Sequence, residues 1–408
     1  MPANRMWLRC RRGLIAMTSY IVAAKRTAVV PKGGAFSDLS LHELAAPVIQ
    51  AIIERAGLSA SQIDEVIVGN ALGAGGNPAR VVALASGLPE QVAGLSIDRQ
   101  CCSGLDALIT ANALIKSGQA QVVIAGGVES YSQRPLRSKR IANSNEYQPY
   151  TSPPFTPWPD RDPEMAQAAD KLATQMDISR QLQDDWAINS HAKAIQAKGY
   201  LQNEIVPINE VAADQFTRNL KSNTCRRAKV ISGSISSANT AVEADAAAFC
   251  LMVSESVHNK LQKTLSGNSS LRSVKFVGGN TIGADPCLPG LAPVHAIERV
   301  LRTHKLSVSN LEHAEIMEAF AVQAMACIQQ TKISNAICNL AGGALARGHP
   351  IGASGAILAV RLLNDMASAN VESIKNKTTG NNAKRIGLAA IAAAGGLGSA
   401  IVLESVVS

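Results

Sequence analysis

Aromatic side chains are scarce: Phe, Tyr and Trp together make up 3% of the 408 residues. That scarcity argues against an aromatic-rich β-sandwich, and the abundance of Ala with 31 Gly points instead to helices packed closely on sheets. Paired cysteines are missing too. Eight cysteines lie at irregular spacing with no Cys-x-x-Cys pair, which excludes a disulfide framework and a zinc site and fits a reducing cytoplasm. Acidic residues are outnumbered by basic ones, giving a net charge of +8. The basic residues are dispersed and form no long stripe, so a nucleic-acid partner is not expected.

Targeting and membrane signals are equally thin. The first 17 residues carry Arg5, Arg9, Arg11 and Arg12 with no acid, yet lack the Ser-rich amphipathic length of a transit peptide and the apolar core of a secretory signal. They read as a disordered extension, or as sequence upstream of a start at Met17. The stretch 386–403 runs 18 residues without a charge, long enough for a membrane span. Gly395, Gly396 and Gly398 interrupt it, so the expectation is two buried strands joined by a tight turn, with no membrane partner.

What is present is layering. With 47% hydrophobic residues the chain can bury more than one core. Short β-branched runs at 20–24, 65–72, 93–100 and 120–127 alternate with helical patterns. Between the last two, "SGLDALITANALIKSG" is apolar nearly all round, as a buried helix is. The plan recurs: "HAEIMEAFA" (313–321) stands where 64–72 stood. Residues 336–363 again read strand, turn, Gly-rich helix start and apolar helix, and 385–405 echoes 120–130. An internal duplication follows, giving two α/β halves. Residues from about 131 to 238, Pro-rich and then amphipathic, with Arg226, Arg227 and Lys229 clustered, read as an insertion suited to substrate-binding loops.

"SIDRQCCSGLDAL" (96–108) sets two cysteines at a strand-to-helix junction. There Cys101 meets free backbone N–H groups and the positive end of the helix dipole, which favour thiolate and could hold an oxyanion. Gly104 would let backbone approach a ligand, and Cys102, about 100° further round the helix, suits a small packing role. Taken alone, both cysteines could equally be core residues.

The surrounding segments decide between those readings. "DRQCCSGLDAL" resembles the nucleophile segment of the thiolases, "AGGVESYSQRP" (125–135) their Gly-Gly-x-Glu-Ser-x-Ser segment, and "GGALARGHPIGASGA" (342–356) their Gly-His-Pro-x-Gly-x-Ser-Gly block. "GSISSANTAVEADAAAFCLMVSE" (233–255) is a looser likeness to the stretch framing the pantetheine arm. The resemblance implies the thiolase fold: two duplicated βαβαβαββ halves, 18–268 with a loop domain inserted at about 135–239, and 270–408. It implies an acyltransferase using acyl-CoA, with coenzyme A as part of the substrate and no separate cofactor or metal, assembled as a homodimer or homotetramer or with a partner subunit. Cys101 would be the nucleophile and His349 its base, with the N–H groups of Cys101 and Ala394 as the oxyanion hole. Ala319 and Phe320 would line the pocket, and Ala241, Ser237 and Arg226 would contact the substrate. Ser354 and glycines 348, 352 and 355 would shape the loop.

Three departures from the family pattern bear on the chemistry. The polar residue before Glu-Ala-Phe is Met317, the second cysteine of the C-terminal motif is Ala392, and the first glycine after it is Ala394. The pantetheine Ser is Ala241, flanked by Val242 and Glu243. Acylation of Cys101 keeps its groups, whereas Claisen chemistry loses a base and an enolate-stabilising water site. The expected function is therefore acyl transfer through an acyl-cysteine, with acetyl-CoA C-acyltransfer as the family default. The alternatives are a specialised acyltransferase or condensing subunit, and a silent acyl-CoA-binding scaffold.

Overall fold

All eleven residues of Ala244–Ser254 are buried, as are all eight of Val122–Glu129. Strands without a polar face need structure on both sides. The computed structural model describes residues 18–73, 75–265, 273–367 and 384–406; the expected extension 1–17 lies outside the described residues.

Leaving aside elements of four residues or fewer, the first half runs β1 (Ser19–Arg26), α1 (Leu41–Ala56), β2 (Glu65–Gly69), α2 (Pro78–Ala85), β3 (Ala93–Ile97), α3 (Ser103–Lys116) and β4 (Val122–Glu129). An excursion carrying α4 (Met165–Gln175), α5 (Arg180–Gln196) and α6 (Ser222–Arg227) leads back to β5 (Ala244–Ser254) and α7 (Glu255–Leu265). The second half runs β6 (Val274–Gly283), α8 (Ala292–Thr303), β7 (Leu311–Ile316), α9 (Ala321–Thr331), α10 (Ile351–Ala367), β8 (Ile386–Ala393) and β9 (Leu397–Ser405). The uncharged stretch at 386–403 is thus β8, a turn through positive φ at Gly395 and Gly396, and β9. Among the described residues no helix is long and apolar enough to cross a membrane.

The strand order is β7-β8-β9-β6-β1-β5-β4-β2-β3. β1 and β6 pair antiparallel at the middle, Tyr20 opposite Lys275, and the order reads alike outward from that seam. The first half shows the βαβαβαββ plan in full. The second half does not: the strand expected after residue 336 is a single bridge between Ala314 and Cys338. Asn339 turns the chain there with φ 46°, and its side chain instead holds the backbone N–H and C=O of Ile316.

Side-chain alternation along the strands sorts the core into layers. Ile67, Ala389 and Ile401 point into a central cluster with Leu105 and Ala111 of α3 and Ala356 and Val360 of α10. Their neighbours Val66 and Val68 face a cluster with α1 and α2, while Leu388 and Val402 face one with α8 and α9. The result is helix, sheet, helix pair, sheet, helix. The α3–α10 pair in the middle is buried from both sides, which is why both helices are apolar nearly all round.

That central pair meets at glycines. A Cβ on Gly104 would lie 2.7 Å from the Ala356 nitrogen and 2.8 Å from the Gly352 oxygen, and one on Gly355 would lie 2.5 Å from the Leu105 nitrogen. Gly104 therefore admits the facing helix rather than a ligand, because the helix start is packed against α10 and not open to the pocket. The excursion is tied down by a buried ion cluster, Arg26 to Glu204 and Asp214 at 2.7 Å each and Arg361 to Glu204 at 2.5 Å, and by Leu172 and Ile178 packed on Val322 and Ala326 of α9.

Gly104→Ala should lower stability by about 1–3 kcal/mol, the usual cost of forcing a methyl group into a filled core. The measurement is the urea midpoint, with helical circular dichroism retained. An unchanged midpoint would mean that the two helices can separate without cost.

Candidate active site

Four strands end at one side of the sheet, and each end delivers residues to one place. β2 ends at Gly69, β3 at Ile97, β7 at Ile316 and β8 at Ala393. The segments that follow gather at the carboxyl ends of these strands, where open α/β sheets place their ligands.

Cys101 sits between β3 and α3 on a tight turn. Gln100 before it takes φ 52°, and Ser103 fixes the turn by accepting from the Arg99 N–H and donating to the Gln100 carbonyl, both at 2.7 Å. On that turn Cys101 is half-buried and lines a cavity, whereas Cys102 is fully buried in the central core with its thiol 3.6 Å from the Ile391 carbonyl. His349 arrives from the opposite helix start. Its Nε2 lies 3.2 Å from Cys101 Sγ, and its Nδ1 lies 2.6 Å from Ser354 Oγ. The Ser354 hydroxyl donates its one proton to the Pro350 carbonyl at 3.0 Å, so it can only accept from Nδ1–H. In that tautomer Nε2 presents a lone pair to the thiol.

The backbone N–H groups of Cys101 itself and of Ala394 both point to the Cys101 sulfur. Ala394 is not among the residues with positive φ, so alanine fits there without strain. The expected thiolate does not follow, however. Burial pushes the Cys101 thiol up to about 12 against the pull of those two N–H groups, with nearby Glu129 adding to the rise. Burial likewise holds His349 down to about 4. A helix dipole contributes at most about 2 kcal/mol, whereas full burial shifts a group by up to ~3–5 pH units. Burial wins, and the pair rests as neutral thiol and neutral imidazole.

Two buried carboxylates hold the loops. Glu129 accepts from the N–H groups of Ala71, Leu72 and Gly352 and from Asn70 Nδ2, joining the ends of β2 and β4 to the start of α10. Burial raises it to about 7 despite those bonds. Glu318 accepts from Trp186, Ser190, Asn339 and the Leu345 N–H, locking α5 of the excursion to the segment before His349. The chain 239–243 runs between the two site loops: Ala241 N–H donates to Ala319 O on one side, and His349 N–H donates to Val242 O on the other.

A small, partly open cavity of about 40 Å³ lies beside Cys101. Ala319, Phe320, Ala392 and Ala394 line it as expected; Met317 does not, being buried in the central core. Ala241 packs against that core through its side chain and also stays out of the cavity lining. Ser237 lines a second, open cavity of about 390 Å³ with Arg218 and Arg227. Arg226 is not among its lining residues and instead donates to Asn223 on its own helix. Residue patterns missed Met165 and Leu172 of α4, Pro289 and Gln323, all of which line the acyl cavity. Only the helical spacing of Gln323 from Phe320 pointed that way. Among the described residues no group of three or more His, Cys, Asp and Glu side chains is placed to hold a metal ion.

Comparison with known proteins agrees with this geometry. Residues 19–256 match the family model of the thiolase N-terminal domain and residues 272–405 that of the thiolase C-terminal domain. The "Putative acetyl-CoA C-acetyltransferase VraB" of Staphylococcus aureus (strain MW2) is 39% identical over 355 residues, 84% of this chain and 91% of that protein. The "Putative acetyl-CoA C-acetyltransferase YhfS" of Bacillus subtilis (strain 168) is 37% identical over 397 residues, 95% and 99% of the two chains. The crystal structure of the Bacillus anthracis acetyl-CoA acetyltransferase superimposes with a TM-score of 0.83 at 30% identity, covering 96% of this chain and 99% of that one.

A neutral pair has a distinct alkylation profile. With the thiol held near 12 and the imidazole uncharged above about 4, the rate of Cys101 modification by iodoacetamide should climb steadily from pH 6 to pH 10, by about tenfold per unit. A plateau across that range would show a preformed thiolate–imidazolium pair instead.

Proposed function

On the premise that this chain belongs to the thiolase family, we propose that it is an acyltransferase that carries its acyl group as a thioester on Cys101, taken from acyl-CoA. The observation that carries the reading is the 3.2 Å contact between Cys101 Sγ and His349 Nε2, with the N–H groups of Cys101 and Ala394 beside the sulfur. Cys101 Sγ attacks the thioester carbonyl while Nε2 takes the thiol proton. The carbonyl oxygen, negative in the tetrahedral intermediate, accepts from the two N–H groups. Collapse expels the sulfur of coenzyme A, which leaves with the proton from His349, and the acyl group stays on Cys101. Ser354 holds His349 in the tautomer that makes this transfer possible.

Carbon–carbon bond chemistry needs more than this. An α-proton must be removed and the enolate stabilised, yet Ala392 lines the cavity with a methyl group and Met317 is buried out of it. Transfer between thioesters and a nucleophile that needs no enolate fits the residues better than condensation does. Coenzyme A enters and leaves as substrate. The open cavity with Ser237, Arg218 and Arg227 offers two guanidinium groups to its phosphates. A homo-oligomer also fits: β3 is an edge strand, and Leu95 on it and Val81 and Leu84 on α2 are exposed. A second copy of the chain would pair along that edge. The seven described cysteines are free thiols, which supports placing the protein in the reducing cytoplasm.

Intact-mass analysis after incubation with acetyl-CoA should show one acetyl group, mapped to Cys101. Cys101→Ala should abolish it, Cys102→Ala should keep most of it, and His349→Ala should slow it by ~10²–10⁴-fold. Ser354→Ala, which frees the other tautomer, should slow it by about tenfold, the worth of one hydrogen bond. No adduct from any acyl-CoA would leave the protein as a binding scaffold. For the missing base, acetyl-CoA in heavy water should gain deuterium in its acetyl group far more slowly than with the double variant Met317→Asn, Ala392→Cys; equal rates would place a base elsewhere in the site.

A further inference from the structure

Gln323 lies on α9, one helical turn beyond Phe320, and is 3% exposed. Neither its Nε2 nor its Oε1 has a hydrogen-bond partner, although it lines the same cavity as Cys101. Leu172, Pro289 and Phe320, which line the same cavity, offer no side-chain donor or acceptor. Gly290 leaves its stem room, since a Cβ there would come within 3.3 Å of Gln323 Cγ. A buried amide with both ends unpaired is costly to keep, and an apolar residue would fill the same space without that cost. The amide makes sense as half of an interaction whose other half arrives with the substrate.

The identity of the missing half follows from what the amide offers. It presents one acceptor and donors side by side. A methyl group satisfies neither, a ketone satisfies the donor alone, and a carboxylate would face Oε1 with a second negative oxygen. A hydroxyl both accepts from Nε2–H and donates to Oε1. We propose that the short acyl group taken by this cavity bears a hydroxyl, and that Gln323 is the specificity-determining residue that recognises it. The inference rests on the acyl-Cys101 reading for the placement of the acyl chain, and it adds the substrate class: hydroxyacyl thioesters over plain acyl ones. A site built around a buried amide discriminates against the analogue lacking the matching group, because binding that analogue leaves the amide unpaired.

The test uses two isosteric ligands, 3-hydroxypropanoyl-CoA and butanoyl-CoA, which differ by hydroxyl against methyl. Calorimetry with full-length Cys101→Ala protein reads binding without acylation; the hydroxyacyl ester should bind at least about tenfold more tightly. Adding Gln323→Leu should bring the ratio close to one. Equal binding in the parent, or a ratio that survives Gln323→Leu, overturns the proposal. Mass-mapped acylation of the wild-type protein should show the same preference on Cys101. If neither ester acylates Cys101 while the calorimetric ratio stands, the acyl-enzyme reading fails and the hydroxyl recognition holds. A thermal melt of ligand-free Gln323→Leu separates recognition from a structural role. The melting temperature should hold or rise, because an unpaired polar group is replaced by an apolar one. A marked fall, or failure to fold, would show that the amide has partners in the free protein and would overturn the assignment.

Discussion

Everything at this site depends on two helix starts touching backbone to backbone. Gly104 of α3 and Gly355 of α10 remove the side chains that would keep the helices apart. The contact brings Cys101, on the turn before α3, to within 3.2 Å of His349, two residues ahead of α10. Neither half of the chain contains both reacting groups. The duplication is thus functional as well as architectural: each half contributes its central helix, and the sulfur and the imidazole meet only because the two helices share one buried layer.

Such a layer carries a cost that the loops around it answer. Helix starts leave backbone N–H groups unpaired, and at the site several of them are taken by buried acids instead of water. Glu129 collects three N–H groups, two from the loop after β2 and one from α10, while Glu318 collects donors from the excursion and the chain before His349. The N–H groups of Cys101 and Ala394 are left over and face the sulfur. The same burial that makes this arrangement rigid keeps thiol and imidazole uncharged, so charge separation occurs only when a carbonyl is present to use it. A resting enzyme of this kind has a guarded nucleophile.

The excursion completes the cavity rather than the chemistry. Met165 and Leu172 of α4 form one wall of the acyl pocket, and the buried Arg26–Glu204–Arg361 cluster keeps the excursion seated on both β1 and α10. With Ala392 in place of a polar residue, that pocket is lined by apolar side chains apart from Cys101 and Gln323. Selectivity for the acyl group then falls to few contacts, and a single amide can carry much of it.

The sequence alone determined the α/β layering, the duplication, the strand pair at 386–403 and the family, because periodicity, glycine placement and contiguous motifs are local properties. It also singled out Cys101 and His349, whose motifs are unbroken. It misread the second half's third strand, since nothing local shows that Asn339 spends its side chain on Ile316. It put Gly104 beside a ligand when the neighbour is a helix from residue 350 onward, and it chose Arg226 where Arg227 faces the cavity. The ionisation of Cys101 was out of reach for the same reason. A helix dipole is legible at a helix start, but desolvation depends on how many layers from distant sequence close over the thiol, and only the tertiary structure decides that.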